Sequence, residues 1–172
     1  MKVIKNKQNA ITVGLALLLL VAGVAIWVGY GVFRQHARQA NVAARGSQVM
    51  PFDLEQTTHV FQKMDDGGVQ RVTAKESSNS EQIDLIQAHI QEEADKFQRG
   101  DFSDPAHIHG QQMPGLAELT AGASQIDVRY TPLADGAQIR YTTSEPNLIS
   151  AIHDWFEAQL SDHGAHAESG HN

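Results

Sequence analysis

The sequence predicts an α+β protein: an N-terminal transmembrane helix, then two ββα units whose strands form one antiparallel sheet with two helices on one face. Three observations predict it. A 23-residue uncharged run occupies residues 11–33, two Asp-Gly turns sit between strand-like segments, and a helical apolar stripe follows each pair of strands.

The apolar run, ITVGLALLLLVAGVAIWVGYGVF, would extend roughly 35 Å as a helix at about 1.5 Å per residue, enough to cross a hydrocarbon core. A cleaved signal peptide is the competing reading, since Lys2, Lys5 and Lys7 precede the run. The run exceeds the usual apolar core of such peptides, so an uncleaved anchor is expected. Three lysines before the span and three arginines after it (Arg34, Arg38, Arg45) balance the positive-inside count. An N-terminus on the cytoplasmic side follows because three lysines then need not cross. Residues 1–10 are thus a cytoplasmic tail and 11–33 a single-pass anchor in the inner membrane. Residues 34–50 form a polar stalk, looser around Gly46-Ser47, and the rest faces the periplasm.

Residues 51–164 read as a soluble domain, with repeat units at about 57–98 and 125–164 and a flexible tail at 165–172. In the first unit, strands 58–63 and 69–74 flank Met64-Asp65-Asp66-Gly67-Gly68. In the second, strands 125–131 and 138–143 flank Leu133-Ala134-Asp135-Gly136, and Ile126, Val128 and Tyr130 alternate with Asp127 and Arg129. Ser78-Asn79-Ser80-Glu81 is a capping box before Ile83, Ile86, Ile90, Ala94 and Phe97. Ser144 caps the second helix, Pro146 falls in its first turn, and Leu148, Ile152, Phe156 and Leu160 form its stripe. Leu85-Ile86-Gln87-Ala88 and Leu148-Ile149-Ser150-Ala151 share a string at corresponding places. The connection 98–124 is irregular apart from a short helix near Leu116–Leu119, and a connection of that length is usually functional or disordered.

From Gly46 onward the chain carries 7 basic and 20 acidic side chains, a balance of −13 with histidine neutral. That argues against nucleic acid or an anionic lipid surface as a partner. There is no cysteine, so thiolate metal sites and cysteine nucleophiles are excluded. No G-x-S-x-G elbow, P-loop or G-x-G-x-x-G is present, and Glu92-Glu93-Asp95 reads as a solvated helix face.

Histidine is the surplus, with 8 of 9 after Gly46. His107 and His109 share a face if the segment is extended, and Met113 lies close by. Imidazole with thioether and no thiolate suits copper, so His109, Met113 and His153 are the first candidate metal ligands and His59, His107 and His163 the next. Each has a structural alternative: a loop anchored by Met113, a half-buried His153, or a helix-end His163 beside Gly164. His89 reads as an ordinary edge histidine, and His166 and His171 as tail residues. Three function classes follow. One is a periplasmic binding domain that handles a transition metal, copper first; another is an accessory or assembly subunit of a membrane protein complex. An enzyme is the third.

Several strings also resemble a known family. They are Met50-Pro51-Phe52-Asp53-Leu54-Glu55-Gln56-Thr57-Thr58-His59-Val60-Phe61, Gly-Gly-Val-Gln at 67–70, Ile108-His109-Gly110, Met113-x-Gly115-Leu116 and Ala151-Ile152-His153-x-Trp155-Phe156-x-Ala158-Gln159-x-Ser161-Asp162-His163-Gly164. Together they resemble a family of short bacterial proteins often labelled aspartate carbamoyltransferase. The resemblance spans nearly all of residues 50–167 and implies a small exported or membrane-anchored domain. It does not carry the labelled activity: that enzyme's carbamoyl-phosphate site starts a helix with a Ser-Thr-Arg-Thr-type string, which this chain lacks, and the chain is roughly half a catalytic subunit's length.

Overall fold

The computed structural model describes residues 2–170, with side chains described from residue 17 onward. His171 and the side chains of the three N-terminal lysines lie outside the described residues. The chain divides into two compact units, Met1–Arg38 and Gln39–Asn172.

The first unit belongs to helix α1 (Lys2–Val49). Within Leu17–Val49 this helix is long and apolar enough to cross a membrane. Its large apolar side chains between Leu17 and Phe33 are exposed, Trp27 by 76 %. Without a membrane around them, such a run would be a large uncovered apolar surface.

The second unit begins inside the same helix. Residues 34–50, expected as a stalk loosening at Gly46-Ser47, are helical through Val49, and Val42 on the last turns is buried to 1 % exposure. Two hairpins follow: β1 (Thr57–Met64) with β2 (Gly67–Ala74), and β3 (Asp127–Leu133) with β4 (Gly136–Thr142). Each has a two-residue turn with glycine as the first residue of its second strand. A Cβ on Gly67 would stand 2.2 Å from the Tyr141 carbonyl oxygen, and one on Gly136 2.1 Å from that of Val72. The glycines are therefore required where each hairpin's backbone crosses close to the other's.

The sheet order is β3-β4-β2-β1-β5. The second strands of the two hairpins pair antiparallel in the middle, Gly67 opposite Thr142 and Thr73 opposite Gly136. The repeat thus becomes a pseudo-twofold arrangement about the β2–β4 seam. The fifth strand, β5 (Ala167–Ser169), comes from the stretch expected to be a flexible tail and pairs parallel to β1 at His59–Phe61, which makes the sheet mixed.

Helices α2 (Ser80–Gln98) and α5 (Pro146–His163) pack on the sheet. Asn79 caps α2, its side chain accepting from the Gln82 N–H. The cap of α5 is Glu145 rather than the expected Ser144 and makes no side-chain bond; Thr143 Oγ1 instead accepts from the Glu145 N–H. The core joins Phe61, Val72, Ile139 and Tyr141 from the sheet to Ile86, Ile90 and Phe97 of α2 and Leu148, Ile152, Trp155 and Phe156 of α5. The connection between the repeats contains two short helices, α3 (Ser103–His109) and α4 (Leu116–Gly122).

Candidate binding site

One cavity lies in the second unit between β1, α2, α3, α5 and the end of α1. Water centres can range over about 50 Å³ of it. That exceeds what one water needs and leaves room for a small molecule.

The histidine wall comes from three elements. His59 faces inward from β1 because it alternates with Thr57 and Phe61, all three buried. His163 ends α5 and stacks on His59, ring centroids 4.8 Å apart and planes 11° apart. His109 ends α3 and meets His163 edge-on at 5.1 Å. Its Nδ1 lies 2.9 Å from Asp162 Oδ2, and both residues are almost fully buried. Burial pushes His59 down to about 4 against the opposing pull of a backbone hydrogen bond with His166, and burial holds His163 well below its ordinary range. These two rings are therefore neutral near pH 7.

Two carboxyl side chains, Glu93 and Asp104, also line the cavity. Glu93 on α2 is buried, and burial followed by its hydrogen bond to Asp104 raises it to about 8. Two carboxyls can share a hydrogen bond only if one of them holds a proton. Burial would raise Asp104 too, but hydrogen bonds from Lys96 and Glu93 hold it below the usual carboxylate range. Lys96 Nζ donates to Asp104 at 2.7 Å, to Glu93 at 3.1 Å and to Glu92 at 2.9 Å. Gln70, Gln159, His89 and Trp155 complete the polar lining. Among the described residues four buried side-chain nitrogens lack a hydrogen-bond partner, and two of them, His59 Nδ1 and Trp155 Nε1, belong to this lining.

Of the six residues singled out by sequence as metal ligands, the fold brings His59, His109 and His163 together. It places the other three elsewhere. His107 and His109 are on a helix, not an extended segment, so a two-residue step turns them to different sides: His109 is buried and His107 exposed. Met113 is packed in the apolar core. His153 Nε2 donates to the carbonyls of Met64 at 3.0 Å and Gly67 at 2.9 Å, fastening α5 to the β1–β2 turn. Among the described residues no group of three His, Asp or Glu side chains could hold a metal ion.

Sequence reasoning missed Glu93, Asp104, Gln159 and Trp155. Glu93 reads as part of a solvated face with Glu92 and Asp95, yet it falls on the Ile86–Ile90–Phe97 stripe, three residues after Ile90 and four before Phe97. An acid on an apolar stripe was the available signal. Trp155, Gln159 and Asp162 likewise form a second buried line on α5, four and three residues apart.

No known protein family, curated protein or solved structure matches the chain.

Proposed function

We propose that this chain is a membrane-anchored binding domain and that the cavity lined by these histidines and carboxyls is its site. The carrying observation is the concentration of buried polar side chains there: His59, Glu93, His109 and Gln159 are each at most 6 % exposed, and all line one pocket. Burying polar groups is costly unless they are satisfied, and a few convergent polar groups in an apolar pocket are the usual signature of a ligand site. The apolar run of α1 would hold the domain at the inner membrane with its N-terminus in the cytoplasm and the acidic unit in the periplasm. No reaction is assigned.

A second reading names a transition-metal ion, copper first, as the ligand. It is favoured by His59, His109 and His163 sharing the cavity, since neutral imidazoles are metal donors. Met113, which gave the sequence its preference for copper, is not in the lining, and the three rings would have to turn to converge.

The test is a titration of the full chain in detergent with Cu(I), Cu(II), Zn(II) and a panel of small polar compounds, read on the ring signals of His59, His109 and His163. Saturable shifts confined to these rings and their neighbours support a binding site. Metal retained by protein purified without an affinity tag, and lost in His59→Ala and His109→Ala, selects the metal reading. Silence toward every compound, with defined partners co-purifying in mild detergent, would replace both with an accessory or assembly subunit.

A further inference from the structure

With the cavity as the binding site proposed above, the charge and hydrogen-bond state of its wall narrows the ligand class. The charged carboxylates around it already have partners within the chain. Asp162 is bonded to His109, and Asp104 is paired with Lys96, which also takes Glu92 and Glu93. An anion entering this space would leave water without meeting an unpaired positive charge, and a metal ion or ammonium group has no lone pair to offer an indole N–H. Hydrogen-bonding capacity, by contrast, is left over. Trp155 is wholly buried and held edge-to-face against Phe97, Phe102 and Tyr141, contacts that fix the ring but give Nε1–H no oxygen or nitrogen acceptor. His59 is 4 % exposed, is bonded to the His166 backbone, and has no partner at Nδ1. With the ring neutral and its other nitrogen donating to that backbone, Nδ1 is an acceptor. An unmade hydrogen bond at a buried group is costly, and two in one lining are a standing bias toward whatever satisfies them.

We infer that the cavity takes a small uncharged organic molecule carrying both a hydrogen-bond acceptor, for Trp155 Nε1–H, and a donor, for His59 Nδ1. The primary amide group is the simplest chemistry that offers both. A space in which water centres range over about 50 Å³ suits a small molecule rather than a polymer segment. Gln70 and Gln159, amides themselves, add neutral donors and acceptors to the same wall.

The experiment uses the full chain in detergent micelles, with Trp27→Phe as background so that Trp155 gives the one indole N–H signal. Acetamide is titrated against its charged near-isostere acetate, then against methylammonium and Cu(II), all at pH 7. The expected result is a saturable shift of the Trp155 Nε1–H with acetamide, at least tenfold weaker binding of acetate and methylammonium, and loss of the acetamide response in His59→Phe. Should that variant fold poorly, the ratio of acetamide to acetate affinity in the parent chain still decides. Charged probes or Cu(II) that bind as tightly as acetamide overturn the uncharged class while leaving the cavity as a site. If no probe moves Trp155 or the ring signals of His59, His109 and His163, the inference and the binding-site reading both fall.

Discussion

At the scale of single residues, what a histidine does here depends on its neighbours rather than its spacing. His153 is a candidate ligand by composition and, because it borders the apolar stripe of α5, equally a candidate half-buried structural histidine. Its Nε2–H satisfies two turn carbonyls that would otherwise be buried beside the helix. His153→Ala is therefore expected to lower stability by about 1–2 kcal/mol, measured by urea denaturation, through loss of those bonds. The same variant should leave the Trp155 response to a cavity ligand unchanged. His109 shows the complementary case. Its burial and its bond to Asp162 join residues 53 positions apart in sequence. The Asp162-His163-Gly164 string gave no hint of it, because the contact is made only when α3 and the end of α5 converge.

At the scale of elements, α1 changes role along its length. From Leu17 to Phe33 it exposes apolar side chains, whereas from Gln39 it belongs to the folded domain: Val42 is buried, Gln39 Nε2 donates to the Ser161 carbonyl at 2.9 Å, and Val49 and Met50 line the cavity. A chain starting at Gln39 should keep the fold of the full-length domain. A chain starting at Pro51 should lose at least about 2 kcal/mol, since the buried Val42 contact alone is worth roughly that much. Comparing amide spectra and urea midpoints of the two fragments checks this; equal stability would mean that the helix end is ornamental to the domain. The ββα units were legible because their signals are local: Asp-Gly turns, period-two strands and capped stripes. β5 was not. A three-residue strand flanked by glycine and histidine has no pattern of its own and exists because the edge of β1 offers it backbone partners.

At the scale of the whole molecule, buried groups held in unusual protonation states should set the pH dependence of stability. His59 is held near 4, below its unfolded value of 6.5, so the unfolded chain binds its proton more readily and stability falls as pH drops through 6.5 toward 4. His163 acts in the same direction. Glu93 is held near 8, above its unfolded value of 4.5, so its effect opposes theirs: stability falls as pH rises from 4.5 toward 8. Between 4.5 and 6.5 the two histidines outweigh the one carboxyl, and above 6.5 the carboxyl acts alone. Stability should therefore peak near pH 6.5, with a loss of about 2 kcal/mol by pH 8. Glu93→Gln, a neutral copy of the protonated acid, should flatten the alkaline side and leave the acid side. Urea midpoints across pH 4–8 for the parent and this variant check the prediction; an unchanged alkaline limb would show that Glu93 is ionised in the folded protein.

The sequence by itself determined the apolar span, the two hairpins, the two capped helices and their duplication, because turns, periodicity and caps act over a few residues. It also supplied His59, His109 and His163 as candidates by composition. Only the tertiary structure decided which side chains share a cavity. Met113 went to the core and His107 to solvent, while Glu93, Gln159 and Trp155 turned inward, because helix phase fixes direction and packing fixes burial. A site assembled from β1, α2, α3 and α5 depends on distances between segments far apart in the chain, and no local pattern encodes those distances.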